Sequence, residues 1–344
     1  LDRIKSVDVF RLFAIAAVIV IHTKPFQGDA WADQNAWQYL GIFLSQLARF
    51  AVPFFFVISG YFWGEKLKKD QPISPISIAM AKRVLLIFAV WSLVYALPYN
   101  LGAIADYGLV GPIKYAYWTW MAVLNDPLSF FMQGTKVHLW FLIALVFSLV
   151  ITACFVAKKK FKALMAVAIL LYLLGLLSKA YADTPLGIHT DFDTRNGPFF
   201  GTIFFASGYF LSTYTPNSSW FLKGLLIFGA GFILHFSELY FLSNAYGVSV
   251  YQDYVAGTYF MGMGMAIAAL SNAEFLQFDT LSKYGKFTLG LYAVHIIFVD
   301  VLRPIGRWTN FWLWEFVYVA LVFLLSAVCV LALSRIKATR AFVM

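Results

Sequence analysis

The apolar positions of this chain fall into long continuous runs rather than one face of an amphipathic helix. Arg11–His22 reads RLFAIAAVIVIH, ten wholly apolar residues bracketed by an arginine and a histidine. A helix crossing a hydrocarbon core needs about 20 mostly apolar residues, within a range of roughly 17–25. Ten segments approach that length: Val7–Thr23, Tyr39–Phe62, Val84–Tyr99, His138–Val156, Ala163–Leu177, Pro198–Thr213, Trp220–Phe236, Tyr254–Leu270, Lys286–Leu302 and Phe311–Ser334. The pattern predicts an all-α, polytopic membrane protein with about ten transmembrane helices in a single domain, 1–344. Ile113–Leu124, IKYAYWTWMAVL, is too short to span and reads as an interfacial aromatic helix.

Composition agrees. Apolar residues make up 61% of the chain and charged residues 12%, against a soluble norm of roughly 25% charged. Lysines and arginines follow the alternation of loops. With the N-terminus inside, the inner segments hold about 17 of them, from Arg3 and Lys5 to Arg340, and the outer ones about 7. Both termini are therefore expected in the cytoplasm. The net charge of +9 is accounted for by this topology, and no nucleic-acid partner is implied. Cys154 and Cys329 lie in apolar runs and suggest no disulfide framework. No cleavable signal peptide is expected ahead of the first span.

The informative residues are the ionisable ones inside these runs, because charge in a membrane is costly and marks a pathway or a site. Arg11 and His22 are eleven residues apart, about 16 Å along a helix and within roughly 20° of one face. Asp8 lies at the i, i+3 spacing from Arg11 that lets a carboxylate meet a guanidinium. Arg11 also reads as a topology anchor beside Lys5, and His22 as an interfacial residue at a helix end. The second span, ARFAVPFFFVISGYFWG, carries Arg49 too deep to reach headgroups, with Pro53 expected to kink the helix. Arg49 is expected to face the interior or a water-filled cavity and meet an anion or backbone carbonyls, or else to pair structurally with Asp8 or another buried acid. Ser59–Gly60 forms a small-residue notch for another helix or a ligand.

Lys82–Arg83 opens the third span as either an anchor or a phosphate-binding pair. His138 opens the fourth at the level where His22 ends, followed by Trp140, and His295 is mid-span. His189 and His235 look unremarkable. No Cys/His ligand spacing points to a metal, and no P-loop, GxGxxG before a helix or GxSxG elbow is present.

Taken in order, IKSVDVFRLFAIAAVIVIH, RFAVPFFFVISGYF, KRVLLIFAVWSLVY, HLWFLIAL, FFASGYFL and KFTLGLYAVHIIFV resemble the type-three acyltransferase family, integral membrane enzymes of about ten spans. The proline-containing second motif is most similar to its surface-polysaccharide O-acyltransferase branch. Leu86 departs from the family pattern, which often has a second arginine there. No hydrolase-like domain follows the last span, so a stand-alone enzyme is expected.

The resemblance implies transfer of an acyl group, most often acetyl, from cytosolic acyl-CoA to a hydroxyl of a sugar or glycan at the bacterial inner (plasma) membrane. It implies His22 as general base, with a covalent acyl-histidine as the variant. Arg11 would bind the pantetheine or phosphate end of the donor, held by Asp8. Arg49 would orient the thioester or its oxyanion, and Lys82 and Arg83 would take phosphates. Membrane lipid, acyl-CoA and a glycan are the expected partners, and self-association is left open. The competing class is a transporter or flippase for a lipid-linked glycan or organic anion, which would also need buried arginines and a kinked helix.

Overall fold

The computed structural model describes residues 4–27, 31, 35–69, 72–309 and 311–344, with Asn35 and Trp308 described by their backbone alone. Arg3, counted among the inner charges, lies outside them. The described elements are helices: α1 (Lys5–Thr23), α2 (Asn35–Leu47), α3 (Ala51–Leu67), α4 (Ile73–Ala96), α5 (Gly111–Asn125), α6 (Trp140–Ala157), α7 (Phe161–Leu177), α8 (Pro198–Ser212), α9 (Trp220–Tyr246), α10 (Ala256–Leu270), α11 (Thr288–Leu302) and α12 (Trp312–Arg335), joined by short turns.

Each of the ten apolar segments is helical over most of its length. Seven stretches of the described residues are long and apolar enough to cross a membrane. The remaining three apolar helices, α7, α8 and α10, have 17, 15 and 15 residues, at or below the usual spanning length. Ile113–Leu124 forms most of α5, whose Trp118 and Trp120 are exposed.

Three boundaries differ from the sequence reading. The second apolar run is not one kinked helix. It breaks at a 3-10 turn, Ala48–Phe50, and Pro53 falls in the first turn of α3, where its missing N–H leaves no helical bond unmade. Helix α4 begins at Ile73, so Lys82 and Arg83 sit well within it rather than at its start. Helix α9 continues to Tyr246, ten residues beyond the expected end, and stops at Gly247, whose φ of +68° is the left-handed conformation that closes helices.

The chain divides into two compact units, each assembled from non-contiguous segments. The first holds residues 1–10, 49–86 and 140–282; the second holds 11–48, 87–139 and 283–344.

In the first unit, α3 and α8 approach by mutual omission of side chains. A Cβ on Gly60 would lie 2.0 Å from the Phe205 carbonyl oxygen, and one on Gly208 would lie 2.0 Å from that of Val57. Small residues thus let two backbones touch. Glu238 of α9 accepts hydrogen bonds from the amides of Ala256 (2.8 Å) and Gly257 (3.0 Å). It thereby satisfies the first-turn donors of α10 with negative charge at the positive end of the helix.

In the second unit, tyrosine hydroxyls tie helices to carbonyls. Tyr95 donates to Ala293 (2.6 Å), Tyr318 to Val299 (2.8 Å) and Tyr292 to His138. The segment after His22 is anchored by Glu315 of α12, which accepts from Phe26 N (3.1 Å) and Trp31 Nε1 (3.0 Å). Phe26 stacks on Trp37, and Trp37 on Trp312.

Candidate functional site

Three histidines from distant parts of the sequence converge in the second unit. His22 is in the last turn of α1, His138 in the 3-10 turn Val137–Leu139 that leads into α6, and His295 midway along α11. Their ring centroids lie 5.1 Å (His22–His295), 5.4 Å (His138–His295) and 6.2 Å (His22–His138) apart. His138 and His295 are fully buried, whereas His22 is half-buried.

The hydrogen bonds define one tautomer. His295 Nδ1 lies 2.7 Å from the Tyr292 carbonyl oxygen. A carbonyl only accepts, so Nδ1 carries the proton and the Nε2 lone pair of neutral His295 is an acceptor. That Nε2 is buried with no hydrogen-bond partner, as are both ring nitrogens of His138. Orphaned buried polar atoms are rare and call for an explanation, a ligand or water among them.

His22 and His138 open onto a cavity of about 460 Å³ within the second unit, in the size range of small-molecule sites, roughly 300–1,000 Å³. Across it, Asp300 accepts from Lys136 at 2.6 Å and from the Tyr99 hydroxyl, and Lys136 also donates to Tyr115. Lys136 and Asp300 are 15% and 8% exposed, a depth at which a charge persists only if paired and hydrogen-bonded. Neither was singled out from the sequence. Each looked like a loop or span-end charge, and they are 164 residues apart.

Arg11 is eleven residues before His22 on the same helix, and Asp8 is buried one turn further back. Lys82 and Arg83 occupy an exposed stretch of α4.

Arg49 belongs to the first unit and has an acid of its own. Its Nη1 meets Asp253 at 3.1 Å. Asp253 also binds Lys179 (3.1 Å) and Arg195 (3.2 Å), and Asp193 bridges the same two cations (3.0 and 3.1 Å). Burial alone would raise the Asp253 pKa, but Arg195, Arg49 and Lys179 outweigh it and hold the carboxyl well below the usual carboxylate range. Arg195 lies over the Trp140 ring, 5.2 Å from its centroid, so Trp140 serves this cluster. The notch at Ser59–Gly60 is filled at Gly60 by α8. His235 is buried against Thr258, with Nδ1 3.1 Å from the hydroxyl. Among the described residues no group of three or more His, Cys, Asp or Glu could hold a metal.

A family model described as an acyltransferase domain matches residues 4–333, nearly the whole chain. The chain belongs to the acyltransferase 3 family. With its apolar helices, it is a multi-pass membrane protein and a member of a transferase family. Among curated relatives, an "amino-acid racemase" of Enterococcus faecalis is 29% identical over 228 residues, 60% of this chain and 29% of the relative. A "serine/alanine racemase" of Enterococcus gallinarum is 25% identical over 312 residues, 85% of this chain and 40% of the relative. This acyltransferase 3 chain thus matches 29–40% of the length of those relatives. No solved structure matches it.

Proposed function

We propose that the protein transfers an acyl group, acetyl in the simplest case, from acyl-CoA to a hydroxyl of a sugar or surface glycan at the bacterial inner membrane. The observation that carries this reading is the half-buried His22 at the cavity wall, backed by the buried, unpartnered nitrogens of His138 and His295. Histidine is the side chain whose ordinary pKa suits proton transfer near neutrality.

In the reaction, an imidazole nitrogen of His22 takes the proton of the acceptor hydroxyl as its oxygen attacks the thioester carbonyl. The tetrahedral intermediate collapses with cleavage of the C–S bond. The departing thiolate recovers the proton from His22, giving the ester and free CoA. His295, with Nδ1 committed to a carbonyl, offers Nε2 as an acceptor for the N–H of the second His22 nitrogen and so keeps the first one basic. Arg11, about 16 Å away along the helix, holds the phosphate or pantetheine end of the donor, and the apolar residues between line the path of its arm. Arg49, paired with Asp253 within the first unit, supports its own ion cluster there.

The test is acyl-CoA binding and turnover by purified protein, wild type beside His22→Ala and Arg11→Ala. Binding retained with turnover lost in His22→Ala, and binding lost in Arg11→Ala, is the expected result. If the wild type binds no acyl-CoA, the reading fails.

A further inference from the structure

We infer that the cavity in front of His22 receives an acceptor bearing a negative charge, a saccharide with a carboxylate or phosphate substituent. The inference rests on the acyl-transfer reading and names the substrate class of that same site.

The charges lining the cavity do not cancel. Four cations, Lys24, Lys136, Arg303 and Arg307, face two acids, Asp106 and Asp300. Both acids are already engaged, Asp300 by Lys136 at 2.6 Å and Asp106 by Arg307. Lys24 and Arg303 are left, and neither forms an ion pair among the described residues. Arg303 interacts instead with the neutral Tyr318 hydroxyl.

Their positions are set by the same helices that place the base. Lys24 stands two residues beyond His22, immediately after α1 ends, held at a positive φ of 53°. Arg303 is the first residue after α11, eight beyond His295. An anionic substituent between them would sit beside the hydroxyl that His22 deprotonates.

The remainder of the lining suits a sugar ring. Tyr107, Tyr115 and Trp118 present aromatic surface to the cavity, suited to cover the C–H face of a pyranose while polar groups meet its hydroxyls. Asn100 Oδ1 and the two ring nitrogens of His138 are buried there without partners. Saccharide hydroxyls, which donate and accept, would satisfy them, whereas an apolar acceptor would leave them orphaned.

The experiment is isothermal titration of the full chain in neutral-lipid nanodiscs, without acyl-CoA. The probes are three forms of one tetrasaccharide: one with a terminal glucuronate, one with that carboxyl reduced to the alcohol, and one with a terminal phosphate monoester. Tighter binding of either charged form than of the reduced one, by about tenfold or more, is expected, and the preferred form identifies the substituent. The preference should shrink with added salt and vanish in the double variant Lys24→Gln, Arg303→Gln, while affinity for the reduced sugar changes less than twofold. Equal affinity for all three, failure of both charged forms to bind, or a charge preference that survives the double substitution overturns the inference. Failure of the acyl-transfer reading is seen separately, as absence of acyl-CoA binding.

Discussion

The ring of His295 lies 5.1 Å from that of His22, and its own Nδ1–H is spent on the Tyr292 carbonyl. The proposed base therefore stands beside an imidazole whose remaining nitrogen carries a lone pair and no partner. Removing the base by His22→Ala should lower kcat by about 10²–10⁴-fold, the usual worth of general acid–base catalysis. His295→Phe, which keeps a ring but no acceptor, should cost on the order of tenfold in kcat, leave the KM for acyl-CoA unchanged and shift the kcat–pH profile. An unaltered pH profile in His295→Phe would leave His295 a packing residue.

The Lys136–Asp300 pair predicts a non-additive result. Lys136→Met strands a buried carboxylate, which costs about 3–5 kcal/mol when a partner of a buried pair is removed. The double variant Lys136→Met, Asp300→Leu removes both charges and should recover a good part of that loss. Thermal melting of the two single variants and the double in one detergent provides the comparison.

Asp253 predicts a pH dependence of stability. Its carboxyl is held below the ordinary range in the folded protein, so the unfolded chain takes up the proton first as pH falls. The stabilisation is fully present above about pH 4, the unperturbed carboxylate value, and drains away as pH falls further. Asp253→Asn should therefore lower Tm at pH 7, and the gap to wild type should narrow below pH 4. A gap constant across that range would contradict the assignment.

Two glycines predict opposite outcomes. Gly60→Ala places a methyl 2.0 Å from a backbone oxygen and should prevent α3 and α8 from closing, seen as loss of monodisperse protein on size exclusion. Gly229→Ala in α9 meets nothing within 4 Å and should be neutral or stabilising by about 0.4–1 kcal/mol.

What the sequence disclosed divides along one physical line. Apolar runs are local, so the all-helical, membrane-spanning character of the chain was legible, seven stretches of the described residues being long and apolar enough to cross. His22 and His138 were placed at one level by the ends of their helices, whereas His295 was read only as mid-span, and its approach to the other two was not legible. Contacts closed over long separations were not legible. Asp253 lies 204 residues from Arg49, and Lys136 and Asp300 stand in stretches that read as ordinary loop or span-end charges. The extension of α9 was hidden because the charged Glu238 interrupts its apolar run. Its charge is instead absorbed by the first amides of α10 and by the Tyr181 hydroxyl. The break at Ala48–Phe50 was masked for the reverse reason, since an apolar sequence runs straight through it.

Helix α10, only 15 residues long, begins against a carboxylate that another helix supplies. During synthesis α9 leaves the ribosome first, so the acceptor for the amides of Ala256 and Gly257 already exists when they emerge. A segment too short to partition alone is thereby given a waiting partner. That contact favours entry of α9 and α10 into the bilayer as one hairpin.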